Sequence, residues 1–247
     1  MLRPRTIRAL ARARDAGLHV IVVTGRMYQS VHRFLAPVSL PDPVICYQGA
    51  AVVTADGEWL RHEPIELSLA KETIAALDAE GYAPNVYVAD ELYVREETQA
   101  ARDYAGFQHL VVHEVGDLQA WLTDAPTKLV CVGEPHALDG LESRMKQRFD
   151  GRLYISKSLP YFLEFAAPGV TKGAGLDFLA ERMGFTPEQT IAFGDGENDV
   201  ELVEWVGYGI AVENAHDRVK AAADWICPSA ADEGVAQVLE AVLASSP

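Results

Sequence analysis

The sequence is poor in everything that builds a disulfide scaffold, a membrane span or a polyanion-binding surface. Its 247 residues hold three cysteines, Cys46, Cys131 and Cys227, with no C-x-x-C pairing for zinc or a disulfide framework. That usage points to a reducing, cytoplasmic setting. The longest apolar runs, such as residues 20–23 and 129–132, fall far short of the roughly 20 residues a helix needs to cross a bilayer, and no signal-peptide core opens the chain. Membrane association is therefore not expected. Positive charge is also scarce: 21 Lys plus Arg against 36 Asp plus Glu leave a formal charge of −15. Such a field repels nucleic-acid backbones and anionic lipid, so a nucleic-acid partner is not expected either. A small anionic ligand remains compatible, given a local lysine, arginine, helix N-terminus or cation.

Internal repeats and low-complexity tracts are absent, and 49% hydrophobic content is enough for one large or two smaller packed domains. The first stretch reads as a helix with Pro4 in its first turn and Gly17 at its stop, followed by a continuous apolar strand over 18–23. A helix after Thr24-Gly25-Arg26 and a strand over 44–47 continue the alternation expected of α/β architecture. From about residue 58 the texture changes. Residues 69–80 read as a helix, 86–89 and 92–95 as a hairpin, 128–132 as a strand, 138–149 as a helix, and 153–156 with 161–165 as a strand pair. This mixture predicts an α+β domain over 58–168, inserted into an α/β domain made of 1–57 and 169–247. After Pro168 the α/β grammar returns: Thr171 caps a helix that Gly184 ends, and Thr186-Pro187-Glu188-Gln189 forms a capping box before a strand over 190–193.

Three elements carry chemistry. The densest is Gly194-Asp195-Gly196-Glu197-Asn198-Asp199, placed between a strand and a helix, where α/β sheets bind ligands. Asp195, Asp199 and the Asn198 amide can converge on one hard cation, and magnesium suits one or two carboxylates completed by water and a phosphate oxygen. The competing reading is a solvated acidic turn at a helix start. A dinucleotide fingerprint is disfavoured, because the third glycine is missing and a pyrophosphate would face Asp195, Glu197 and Asp199. The second element is Lys172. A cation in a first helical turn opposes the dipole, which hints at a nearby anion; the alternative is a surface lysine covering Leu176. The third is Thr24-Gly25-Arg26, where a hydroxyl and helix-start amides can bind phosphate, or where Thr24 is simply a cap and Arg26 a surface residue.

In this order, with Cys46-Tyr47-Gln48-Gly49-Ala50 and Val212-Glu213-Asn214-Ala215 beside them, the elements resemble the haloacid dehalogenase-like hydrolases, specifically Cof-type phosphatases with an α/β cap. The resemblance spans nearly the whole chain. It implies a Rossmann-like parallel-sheet core with an inserted cap, and magnesium-dependent hydrolysis of phosphomonoesters of small metabolites, such as sugar phosphates, through an aspartyl-phosphate. Thr24, Gly25, Arg26 and Lys172 would hold the phosphoryl group, Thr24 and Lys172 would act in catalysis, and Asp195, Asp199 and Asn198 would hold Mg2+. The family's first motif, Asp-x-Asp-Gly-Thr, which supplies the nucleophile on a central strand, is absent from these 247 residues. The expectation is a chain shortened at Met1, its nucleophile outside it and its strands over 18–23 and 190–193 left either paired together or with an open edge. The alternative is an inactive, phosphate-ester-binding relative.

Overall fold

The computed structural model describes residues 2–35 and 37–245; Met1, the expected shortened start, lies outside the described residues. The chain divides into two compact units, one made of Met1–Thr24, Val31–Leu60 and Thr171–Pro247, the other of Gly25–Ser30 and Arg61–Val170.

The first unit opens with α1 (Pro4–Asp15), its proline in the first turn, and Gly17 follows at φ 86°. Then come β1 (Val22–Val23), α2 (Tyr28–Leu35, its first three residues in the second unit), β2 (Val44–Cys46), β3 (Ala51–Val53) and β4 (Trp59–His62, its last two residues in the second unit), with sheet order β1-β2-β3-β4. β1 runs parallel to β2, with Val22 opposite Val44 and Val23 opposite Ile45. The apolar run over 18–23 thus contributes far less strand than its sequence predicts, and Leu18 stands 45% exposed. The physical reason is pairing: β1 is hydrogen-bonded along one edge only among the described residues.

The second unit contains α3 (Leu67–Ala79), β5 (Asn85–Val88), β6 (Glu91–Val94), α4 (Gln99–Gln108), β7 (Val112–Glu114), α5 (Leu118–Trp121), β8 (Lys128–Val132), α6 (Pro135–Phe149), β9 (Tyr154–Leu159) and β10 (Phe162–Ala166). Its sheet order is β7-β6-β5-β8-β10-β9. Val86, Leu129, Cys131, Leu163 and Phe165 bury one face against Leu77, Leu138, Leu141 and Phe149. The predicted hairpin turns at Ala89 and Asp90, both at positive φ, as a two-residue mirror-image turn requires. The Asp90 carboxylate then accepts from the backbone N–H groups of Tyr28 and Gln29, capping the start of α2. The sequence reading omits α4, β7 and α5, which are short or lack a long apolar period.

The chain returns to the first unit with α7 (Lys172–Met183), β11 (Ile191–Gly194), α8 (Val200–Trp205), β12 (Tyr208–Val212), α9 (Asp217–Ala222), β13 (Trp225–Cys227) and α10 (Gly234–Ser245). Thr171 caps α7 through Ala174 N–H at 3.1 Å, and the Thr186–Gln189 capping box forms as its sequence predicts. β11, β12 and β13 make a parallel sheet in that order. Ile21 and Val23 join Ala192, Leu176 and Leu179 in one apolar cluster, yet β1 and β11 do not pair. Among the described residues, β1 and β11 each stand at the edge of a sheet, as the second of the two expected arrangements has them. α7 lies so close to β2 that a Cβ at Gly175 would stand 2.6 Å from Ile45 Cγ2 and 2.9 Å from Gly49 Cα.

Two outcomes follow from this packing. Gly175→Ala should lower the urea unfolding free energy by ~1–3 kcal/mol through overpacking, and an unchanged midpoint contradicts the contact. In the second unit, His62 meets Thr127 Oγ1 at 2.8 Å, and burial pushes its pKa below the ordinary 6.5, opposed by Glu63. The neutral imidazole belongs to the fold, and the unfolded chain takes the proton more readily. Stability from this site is therefore present above about pH 6.5 and declines as pH falls below it. Thermal melts at pH 7.5 and 5.5 should show a smaller acid loss for His62→Gln than for the parent.

Candidate active site

The strand β11 delivers its C-terminal end into the 194–199 loop, which folds back on itself. Asp199 Oδ2 accepts from the backbone N–H groups of Asp195 and Gly196, each at 2.9 Å, and Asp199 N–H donates to Gly196 O at 2.8 Å. The glycines permit this fold-back. A Cβ at Gly194 would lie 2.7 Å from Asp199 Cβ, and one at Gly196 would lie 2.6 Å from Asn198 Oδ1. The two-glycine spacing that superficially matches a dinucleotide fingerprint thus clears space for the loop's own side chains. A further bond, from His216 N–H to Asp195 O at 2.8 Å, anchors the loop to the segment before α9.

Asp199 turns inward and Asp195 outward. Asp199 is 4% exposed, and its Oδ1 accepts from Lys172 Nζ at 2.5 Å; Lys172 is itself 7% exposed. This ion pair answers the question raised by a lysine at a helix start: the compensating anion is Asp199. Lys172 Nζ also lies 3.4 Å from Asn198 Oδ1. Asp195 keeps an exposed surface, and no ion pair reaches it among the described residues. The protein around its carboxyl still strips away enough water to raise its pKa above the ordinary carboxylate range, with Asp199's charge adding to the rise and Lys172 opposing it.

The arrangement fits a hard divalent cation. Of the loop's three carboxylates, Glu197 pairs with Arg218 at 2.5 Å and Asp199 with Lys172, while Asp195 lacks an ion pair among the described residues and keeps an exposed surface. No group of three or more His, Cys, Asp or Glu side chains could enclose a metal by itself among the described residues. Magnesium commonly takes one or two carboxylates and keeps several waters, a donor set that Asp195 and Asp199 could supply.

Thr24 closes β1 in the same unit: its N–H donates to Ile45 O at 2.8 Å and its carbonyl accepts from Gln48 N–H at 3.1 Å. Gly25 and Arg26 fall in the second unit. There Arg26 Nη1 donates to Gln108 Oε1 at 2.8 Å and to Ser30 Oγ at 3.1 Å, and its guanidinium lies 5.3 Å from the Phe107 ring centre. Gly25 O accepts from Lys128 Nζ at 3.0 Å. A residue outside the predicted set joins the loop: Gln48 Oε1 accepts from Asn198 Nδ2 at 2.9 Å. Its only sequence signal is the Cys46–Ala50 segment, which accompanies the motifs without carrying obvious chemistry.

A family model described as haloacid dehalogenase-like hydrolase matches residues 1–239. The chain belongs to that family. It is 27% identical to the Bacillus subtilis 5-amino-6-(5-phospho-D-ribitylamino)uracil phosphatase over 95% of this chain and 88% of the relative. To the Escherichia coli pyridoxal phosphate phosphatase it is also 27% identical, over 96% and 91% of the two chains. The crystal structure of TM0651 from Thermotoga maritima superposes with a TM-score of 0.84 at 29% identity, covering 97% of this chain and 90% of that one. The hydrolase assignment and the α/β core drawn from the motifs are borne out.

Within this haloacid dehalogenase-like core, the Lys172–Asp199 pair has a direct stability consequence. Lys172→Met strands a buried carboxylate and should cost ~3–5 kcal/mol in urea unfolding. Adding Asp199→Asn should recover part of that loss, whereas an undiminished or larger loss in the double variant contradicts the pairing.

Proposed function

We propose that this protein belongs to a magnesium-dependent phosphatase that hydrolyses phosphomonoesters of small metabolites. The observation that carries the reading is the outward Asp195 carboxylate beside the buried Asp199–Lys172 pair, a site one positive charge short. Family membership and the phosphatases among its relatives support the same chemistry. The relatives' different esters leave sugar phosphates as one class among small phosphorylated metabolites. The three cysteines, all buried, suit a cytoplasmic setting, and no described helix is long and apolar enough to cross a membrane.

Phosphoryl transfer spreads charge over the nonbridging oxygens, so positioning and electrostatic stabilisation do most of the work. Lys172, fixed by Asp199, places its ammonium at the loop. Thr24, with its backbone clamped to Ile45 and Gln48 at the end of β1, would contribute its hydroxyl to the phosphoryl group. Gly25 and Arg26 complete the proposed phosphate-binding set from the next positions in the chain. Asp195, Asp199 and Asn198 would hold Mg2+, which supplies charge neutralisation for the ester dianion. These 247 residues contain no Asp-x-Asp that could supply the nucleophile of the proposed aspartyl-phosphate route.

A phosphate-release screen with MgCl2 tests this directly. The 247-residue chain should give no meaningful turnover. Fused in frame to an N-terminal apolar strand ending in Asp-x-Asp, it should release phosphate from small phosphomonoesters and lose that activity in Asp195→Ala. Robust release that survives Asp195→Ala contradicts the assignment.

A further inference from the structure

The Cys46–Ala50 segment follows β2 with costly geometry. Tyr47 and Gln48 sit at φ 52° and 60°, two successive non-glycine residues in the left-handed region, before Gly49 at φ 104°. Conformations of this kind cost ~1–3 kcal/mol each and persist where surrounding contacts over-determine them. The contacts are specific. Gln48 N–H holds Thr24 O at 3.1 Å, and a Cβ at Gly49 would stand 2.0 Å from the carbonyl oxygen of Thr171, the cap of the Lys172 helix. The Gln48 side chain, 2% exposed, reaches Asn198. One strained turn therefore touches the segments bearing Thr24, Lys172 and Asn198.

The chemistry of the Asn198 contact fixes which end of that amide faces the site. Lys172 is a donor only, so the Asn198 atom 3.4 Å from its Nζ has to be the oxygen. The amide nitrogen is then turned to Gln48 Oε1, which accepts from it at 2.9 Å. A cation takes an amide by its oxygen and is repelled by its N–H groups. We propose that Gln48 is a positioning residue of the metal site: by accepting from Asn198 Nδ2 it holds the amide oxygen toward the loop that carries Asp195 and Asp199. The inference rests on the metal reading above and deepens it. Gln48 touches neither substrate nor reacting atom in this role and acts through Asn198.

The test is Mn2+ binding to the full chain, followed by electron paramagnetic resonance of the free ion, with thermal melts run alongside. Gln48→Met keeps length and removes the acceptor, and it should weaken Mn2+ binding about tenfold, as loss of an outer-shell partner does. Gln48→Glu keeps an acceptor oxygen and should bind at least as tightly as the parent. In an Asn198→Ala background, Gln48→Met should add no further loss, because the two act as one unit. Should Gln48→Met not fold, Gln48→Asn gives the same contrast: asparagine suits the left-handed backbone but is one methylene too short to reach Asn198. Parent-like Mn2+ affinity in the acceptor-less variant, or an equal additional loss in the Asn198→Ala background, overturns the proposal. Equal Mn2+ binding by the parent and Asp195→Asn, or no binding by the parent, instead overturns the metal reading and this proposal with it.

Discussion

Three carboxylates sharing one loop, with Lys172 pairing Asp199, Arg218 pairing Glu197 and no ion pair on Asp195 among the described residues, are the constraint on which the rest of the first unit depends. Asp199 is buried and satisfied three times over, by Lys172 and by the N–H groups of Asp195 and Gly196. An ionised carboxylate out of water is tolerated only when paired in this way, so Lys172 cannot leave and the start of α7 cannot shift without large cost. Asp195 has no ion pair of its own among the described residues, and Lys172 and the Gly196 N–H offset its charge only in part. Its charge is instead destabilised by the protein packed around it and by Asp199, which makes the outer side of the loop attractive to a cation.

The backbone is shaped to serve that loop. Glycines at 194 and 196 leave room for Asp199 and Asn198 to fold back, and the contact between Gly49 and Thr171 fixes where the Lys172 helix begins. A Cβ at any of these three glycines would stand only 2.0–2.7 Å from a neighbouring atom, and close-packed interiors transmit such constraints without slack. The second unit carries its own buried ion pair, Lys128 with Glu164 at 3.4 Å, on a sheet whose other face is apolar. A fold of this kind hosts many activities, and it is the site that selects among them.

Much of this could be read in the sequence, for identifiable reasons. Caps are local, so Thr171 and the Thr186–Gln189 box announce their helices within four residues. Lys172 was legible because a cation at a helix start is electrostatically odd, and the 194–199 loop because so many acids in so short a span need an explanation. What was not legible is nonlocal. The short extent of β1 is decided by which strand lies beside it, not by its apolar residues. Arg26's partner Gln108 lies 82 positions away, and Gln48 reaches Asn198 across 150. Lone amides and arginines in loops carry no periodic pattern, so only the folded chain shows their partners.

The central claim is that the Asp195 side of this loop is one cation short. Crystals grown with millimolar MnCl2, with anomalous differences measured near the manganese edge, test it most directly. The account predicts a peak within coordination distance of the Asp195 carboxylate, lost in Asp195→Asn. A map with only water at that carboxylate would contradict it.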